Sequence, residues 1–451
     1  MKYHFVIVGY NQVINNKYMP ILNETIKSGH INGYSVIDLN INKEKIKRML
    51  HKNYIKPKHE YYLNVSPNAT EQSLEKFNEF INYIRFEENL PLKVYIGTEA
   101  KAHYRYLKYC VENNISSLTE KPLFIPMKNG KFIPENIMID FQKILSNCAD
   151  YSKHSVMTLG RYHKIYNDKF IKPVYIKAMN MKAPVTSFHF RHNGGVWNLQ
   201  NEYNTREDHP YKYGYGMLMH GAYHYIDISS QILLINKKLF PDKKLSLKVK
   251  SYFASPIDQS IRMSKIYSKK IKDNDPNWAK NNASNNYGET DIVSILRMVD
   301  KNTGRTIMLG SLSMEQTTPS IRNWNQFPPG LYNKNGRVSS CDTEAQLSTL
   351  YACQVQCYDV PNKKELDNKD RIPSVARITE RGNAAINDDL EYLKIRNYKN
   401  IHHSDSNKIL LKKWLFDQEK RSTINLHVLP MKMIQAMAIS AYENKEVEFE
   451  L

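Results

Sequence analysis

Two stretches of the sequence bring chemically active side chains together at informative spacing. In "SSLTEKPLF" (residues 116–124) an acid, a base and a proline are adjacent: Glu120, Lys121 and Pro122. Beside a positively charged ligand group such as a nicotinamide ring, a lysine has its pKa lowered by like-charge repulsion, toward the range of proton transfer. A surface Glu–Lys pair without that role contributes little. In "GYGMLMHGAYHYIDIS" (residues 214–229) His220 and His224 stand four apart and Asp227 follows three later. On a helix the three share one stripe. Histidines at this spacing can ligate zinc, with Asp227 as a third ligand or a partner behind them. The glutamate of a zinc-protease helix is missing, because position 221 is glycine. Alternatively His224 moves a proton on a bound hydroxyl, or the histidines are packed in a core.

A third candidate is the turn in "VIVGYNQVINNKYMP" (residues 6–20). A strand-like run ends at Gly9 and a helical pattern follows. Here a dinucleotide-binding fold aims backbone N–H groups and a helix N-terminus at a pyrophosphate. Gly9, Asn11, Gln12 and Val13 are the residues so placed. The full glycine fingerprint is absent, although asparagine tolerates positive φ better than most residues. Asp38 closes the next strand-like run, "YSVIDLN". An acid there can accept both ribose hydroxyls of NAD and would repel the 2′-phosphate of NADP; the other reading is a solvated strand-end carboxylate.

These residues need elements to position them. In the first third, "YHFVIVG", "YSVIDLN", "YYLNVS", "LKVYIGT" and "SSLTEKP" alternate with helical segments. That order predicts βαβ units and a parallel sheet, whose strand C-termini form the ligand edge. After Pro122 the texture changes. One helical piece, "PENIMIDFQKILSNCADY", precedes the strand candidates "PVTSFHFRHN", "LSLKVKSYFAS", "TDIVSILRMVD", "RTIMLGSLSME" and "QLSTLYACQVQCYDV". "DKNTGR" reads as a hairpin turn. This pattern predicts an α+β domain with a mostly antiparallel sheet, and a boundary between residues 123 and 124. Polar loops are expected around 270–290 and 320–345, and extra loop length near 360–410.

Composition narrows the function class. The formal charge of +19 comes from lysines scattered along the chain. It reads as a compositional bias compatible with an anionic substrate, and no nucleic-acid role is expected. No apolar run approaches the ~18 residues of a membrane span, and the N-terminus lacks a signal-peptide core. Cys353 and Cys357 would lie about 13 Å apart on one strand, too far for a disulfide. Free thiols point to a reducing, cytoplasmic setting.

With Gly9, Asp38, Thr98, His103, "EKP" (120–122) and the His224 helix in order, the sequence resembles the Gfo/Idh/MocA oxidoreductases over nearly its whole length. That family includes glucose-fructose oxidoreductases and inositol dehydrogenases. The closing "MIQAMAISAYENKEVEFEL" is similar to the family's last helix and strand. The resemblance implies a Rossmann NAD-binding domain, residues 1–123, followed by an α+β substrate-binding and oligomerisation domain, residues 124–451, on a large open sheet. It implies Lys121 beside nicotinamide and substrate, and His224 in proton transfer. Thr98, His103 and Glu120 would stand on the cofactor side. Arg161, His163, His220 and Asp227 would stand on the substrate side, and no metal is implied. Three positions depart from the family pattern: the glycine-poor turn, Glu99 in place of a proline after Thr98, and His220 in place of an acid.

The activity implied is hydride transfer between a nicotinamide cofactor, NAD before NADP, and a secondary alcohol or ketone of a sugar, cyclitol or related metabolite. An imine or other double-bond reductase, and a nucleotide-binding sensor or partner-binding protein without chemistry, are the alternatives on this fold; a zinc hydrolase is the alternative outside it. A homodimer or homotetramer is implied.

Overall fold

Short runs of β-branched and aromatic residues build the first sheet: β1 (Tyr3–Val8), β2 (Ile31–Leu39), β3 (His59–Leu63), β4 (Leu92–Ile96) and β5 (Ser116–Glu120). A two-stranded ribbon, β6 (Met127–Lys128) with β7 (Lys131–Phe132), precedes β8 (His154–Met157). The sheet order is β3-β2-β1-β4-β5-β8 and every pairing is parallel. Phe5, Val6, Ile7 and Val8 are all buried, as expected of a strand covered on both faces. The order reverses between β1 and β4, the point at which open α/β sheets open a ligand crevice.

This is a computed structural model, and it describes residues 2–64, 72–207, 209–263, 265, 269, 275–319, 340–359 and 374–451. The chain divides into two compact units: Met1–Tyr162 with Ser404–Val428, and His163–His403 with Leu429–Leu451. Residue 123 thus lies inside the first unit, for two physical reasons. β8 extends the parallel sheet beyond β5. The helix Ser404–Leu415 also returns to the first unit's core, burying Leu410, Leu411 and Trp414 with Phe5, Ile7 and Tyr95.

The second unit is built on β9 (Val185–Trp197), β10 (Leu245–Ala254), β11 (Asp291–Asp300), β12 (Thr306–Pro319), β13 (Ser340–Leu347), β14 (Tyr351–Asp359), β15 (Ser374–Gly382), β16 (Lys394–Ile401) and β17 (Val447–Glu450). The order is β16-β15-β14-β13-β9-β12-β11-β10-β17. Only β9 with β12 is parallel, so the sheet is mostly antiparallel. "DKNTGR" is the β11–β12 hairpin, with Gly304 at φ +68°. "QLSTLYACQVQCYDV" is not one strand: it breaks after Leu347, with Ser348 at φ +48°, and folds back as β13 and β14. β15 and β16 occupy a stretch expected to be loop. The "WNQFPPGLYNKNG" loop lies outside the described residues.

The helix Tyr223–Leu239 packs on β9. Asn236 fixes it there: its Oδ1 accepts the Val185 N–H at 2.8 Å and its Nδ2 donates to Val185 O at 2.8 Å. The helix Val428–Tyr442 and β17 form the expected chain end. All five cysteines are free. Among the described residues no helix is long and apolar enough to cross a membrane.

Candidate functional site

The C-terminal ends of β1 and β4 press together. Gly9 has φ +84°, and a Cβ on it would lie 2.7 Å from Thr98 Cα. Only glycine fits that conformation in that space. Asn11 then starts the helix: its Oδ1 accepts the N–H of Val13 at 2.9 Å and of Ile14 at 3.1 Å, while its Nδ2 donates to Gly97 O at 3.1 Å. Gln12 and Val13 are exposed on the first turn, where Gln12 bonds Asn16 at 2.9 Å.

Asp38 is not a solvated strand end; it is 8% exposed. Its Oδ2 accepts the Tyr10 N–H at 2.6 Å, and its Oδ1 accepts Leu39 N–H at 2.7 Å and Asn42 Nδ2 at 2.8 Å. Burial pushes its carboxyl up from the ordinary value, and these hydrogen bonds oppose that push.

After β4, Glu99 caps a short helical turn by accepting the Lys101 N–H at 3.0 Å. His103, 1% exposed, spans two loops: Nδ1 lies 2.8 Å from Pro122 O and Nε2 3.0 Å from Thr98 O. It ties the β4 end to the "EKP" loop. Burial lowers its pKa, the two carbonyls raise it, and the Lys121 charge lowers it further. Glu120 accepts Tyr95 Oη–H at 2.5 Å and Tyr18 Oη–H at 3.3 Å. Burial raises its pKa, against the opposing pull of Tyr95 and Lys121. The Lys121–Pro122 peptide is cis. In the same unit, Arg161 is buried and donates to Leu426 O at 3.1 Å.

In the second unit the helix of His224 opens with a wide π-helical turn, Leu218–Ala222. Glu289 holds that start. Its Oε1 accepts the Leu218 N–H at 2.7 Å, its backbone carbonyl accepts the Met217 N–H at 2.8 Å, and its Oε2 accepts the Tyr442 hydroxyl. His220 lies in this turn, and His224 and Asp227 follow in the regular helix Tyr223–Leu239. His220 is buried against the rings of Tyr211 at 4.9 Å and His209 at 5.0 Å. Asp227 is fully buried, and His224 is partly exposed. Among the described residues no group of three or more His, Cys, Asp or Glu side chains could hold a metal ion, so these three do not form a zinc centre.

His163 is 2% exposed. Its Nδ1 accepts the Ile165 N–H at 3.1 Å, which leaves the proton on Nε2, 2.8 Å from His403 Nδ1. His403 Nε2 lies 3.0 Å from Ser374 Oγ, which donates to Asp359 Oδ1 at 2.7 Å. Burial and the neighbouring imidazole hold His163 well below its ordinary pKa.

Sequence reasoning missed His192 and Tyr225. Their rings stack at 3.8 Å in the same region as His224. Gly194 is glycine beside them: a Cβ there would meet the His192 ring at 2.4 Å. The available signal was the alternation Phe188, Phe190, His192 along β9, which puts an imidazole on the covered face.

No protein-family model and no curated protein matches the sequence. Solved structures do match the fold across the chain. An aldose-aldose oxidoreductase from Caulobacter crescentus, complexed with glycerol, is 11% identical over 100% of both chains, with TM-score 0.57. A levoglucosan dehydrogenase in complex with NADH and levoglucosan is 10% identical over 100% of this chain and 99% of its own, with TM-score 0.55. A myo-inositol dehydrogenase from Corynebacterium glutamicum ATCC 13032 is 10% identical over 100% of this chain and 99% of its own, with TM-score 0.51. At these identities the likeness is one of fold, and it is the fold that the "EKP" resemblance implies.

Proposed function

We propose that the chain is a nicotinamide-dependent oxidoreductase acting on a secondary alcohol or ketone of a sugar, cyclitol or related metabolite. The observation that supports this most is the gathering of Gly9, Asp38, Thr98 and Glu120–Lys121 at the C-terminal edge of one parallel sheet, around its β1/β4 switch point. The Gly9 turn suits a dinucleotide-binding fold, because its left-handed conformation against the Gly97–Thr98 backbone turns the chain tightly from β1 into the next helix at the switch point, where such folds receive a pyrophosphate. Asn11, Gln12 and Val13 would face the phosphates, Asp38 the adenosine ribose, and Thr98 the nicotinamide end. Asp38 favours NAD over NADP. A bound nicotinamide supplies the hydride acceptor or donor.

Lys121 and His224 are the proposed proton-transfer groups. Lys121 follows directly on β5, and its positive charge already acts on His103 and Glu120. His103 and Glu120 act from behind, as struts of the loop that carries Lys121. Arg161, His163, His220 and Asp227 are buried and would shape the substrate side from within. The small-molecule substrate fits the glycerol and levoglucosan named with the solved structures. We further propose a homo-oligomer in which a second copy covers the open face of the large sheet, where Tyr252, Val293, Ile295 and Leu309 are exposed. Five free thiols fit a reducing, cytoplasmic setting.

A nucleotide-binding sensor without chemistry is the second reading. It is favoured by the Asn11 side chain, which occupies N–H groups at the helix start. Titration with NADH and NADPH, followed by nicotinamide fluorescence, tests both readings, and binding to neither overturns both. Binding followed by turnover of a sugar or cyclitol supports the enzyme; binding without turnover across such a panel supports the sensor.

A further inference from the structure

The N–H groups of the turn after β1 already have acceptors within the protein. The Gly9 N–H goes to Ile37 O at 2.8 Å and the Tyr10 N–H to Asp38 at 2.6 Å. The Val13 and Ile14 N–H groups go to Asn11 Oδ1, at 2.9 and 3.1 Å. Amides at the start of a helix have no intrahelical acceptor and are the groups that bind phosphate. Here a neutral carboxamide oxygen already sits on two of them. The same carboxamide donates to Gly97 O at 3.1 Å, so it also ties the helix start to the end of β4.

We infer that Asn11 sets the affinity of this turn for a dinucleotide by competing with its phosphates for the Val13 and Ile14 N–H groups. The inference rests on the nicotinamide reading above. A phosphate oxygen reaches those amides only when the carboxamide rotates away, which breaks three hydrogen bonds. The observed dissociation constant is then the intrinsic one divided by the fraction of molecules whose carboxamide is displaced. A glycine at this second position, as in the usual fingerprint, has no side chain to compete. The missing glycine is therefore a device that weakens binding without removing the site.

The test uses the full chain, Asn11→Ala and Asn11→Asp. Each is titrated with NADH by fluorescence and with adenosine by calorimetry, and melted with and without NADH. Losing the cap shifts the closed-to-open balance by about fivefold. Asn11→Ala is thus expected to tighten NADH by about fivefold, to lower the melting temperature of the free protein, and to match the parent once NADH is saturating. Asn11→Asp keeps an acceptor on the Val13 and Ile14 N–H groups but loses the donor to Gly97 O, so the free protein melts below the parent, and it weakens NADH because a carboxylate then faces the phosphates. Adenosine, which has no phosphate, binds all three proteins alike. Unchanged or weaker NADH binding in Asn11→Ala overturns the inference and leaves the nicotinamide reading standing, as does an equal gain for adenosine. NADH binding by none of the three proteins overturns the nicotinamide reading and this inference with it.

Discussion

The Lys93 ammonium is wholly buried and lies 2.6 Å from Asp417 Oδ1, whose side chain is half exposed. It also donates to Trp414 O at 2.8 Å and lies 4.6 Å from the Tyr3 ring and 4.8 Å from the Trp414 ring. One cation therefore clamps the late segment 404–428 onto β4. Burial lowers the Lys93 pKa, and Asp417 opposes that shift. Removing one partner of such a pair leaves a buried charge uncompensated. Asp417→Ala is expected to cost about 2–3 kcal/mol, less than for a wholly buried pair because Asp417 is screened by water. Lys93→Met combined with Asp417→Ala should return to within about 1 kcal/mol of the parent. Urea denaturation checks both, and a neutral Asp417→Ala removes the clamp.

Gly9→Ala tests the switch point. Its φ of +84° and the 2.7 Å approach to Thr98 leave no room for a methyl group. A strained backbone alone costs about 1–3 kcal/mol, and the clash adds to it. The variant should melt at lower temperature and lose NADH binding. A parent-like melt with parent-like binding would mean that β1 and β4 do not press together there.

Lys121→Ala tests the chemistry. Loss of a positioned proton-transfer group lowers turnover by about 10²–10⁴-fold. NADH affinity should stay within about an order of magnitude of the parent. Unchanged turnover would remove Lys121 from the reaction.

Acid should destabilise the first unit through buried imidazoles. Burial pushes His154 down from 6.5 to about 4, and its Nδ1 lies 2.9 Å from Ser117 Oγ. His4 is likewise pushed down to about 4, with Glu88 opposing. A histidine whose folded value is depressed takes up its proton more readily when unfolded. Stability therefore falls as pH drops from about 6.5 to about 4, then levels off for that group. His154→Gln should remove up to about 3 kcal/mol of this fall. Denaturation midpoints across that range decide it; identical pH slopes for parent and variant would show that His154 does not titrate as stated.

The proposed assembly rests on the open sheet face. Ile295 and Leu309 are exposed on neighbouring strands, each 55% or more. Placing charges there with Ile295→Glu and Leu309→Glu should convert the oligomer to monomer in light scattering while leaving the melting temperature of the isolated subunit near the parent value. An oligomer unaffected by both changes would put its interface elsewhere.

The parallel sheet was legible because its strands are continuous apolar runs between helical segments. β8 was not: its four residues include His154 and Ser155, both buried and polar. The helix Ser404–Leu415 carries its apolar face at Leu410, Leu411, Trp414 and Leu415, but Lys408, Lys412 and Lys413 interrupt that pattern in the sequence. In β15 the covered positions are Ser374, Ala376, Ile378 and Glu380, so the alternation carries little apolar contrast. At the site, positions were legible and partners were not. Gly9, Asp38 and Lys121 follow from where strands end. That Asn11 reaches Gly97, 86 residues on, or that His163 joins His403, 240 residues on, follows only from the folded chain. The stripe of His220, His224 and Asp227 assumed ordinary helical spacing, and the π turn alters it.

β9 lies between β12, parallel to it, and β13, antiparallel to it. On a ribosome β9 emerges first, and residues 198–305 must be made before β12 exists to pair with it. Both edges of this long strand therefore stay open for much of translation, with Phe188 and Phe190 awaiting cover. Partners this distant in sequence make closure slow, and an unpaired apolar edge is where nascent chains associate wrongly. The helix Tyr223–Leu239 is made well before β12 and can cover the Phe188 and Phe190 face of β9 in the meantime, bound through Asn236, while the edges wait for β12 and β13. The same helix that carries His224 would then shield the apolar face of this strand during synthesis.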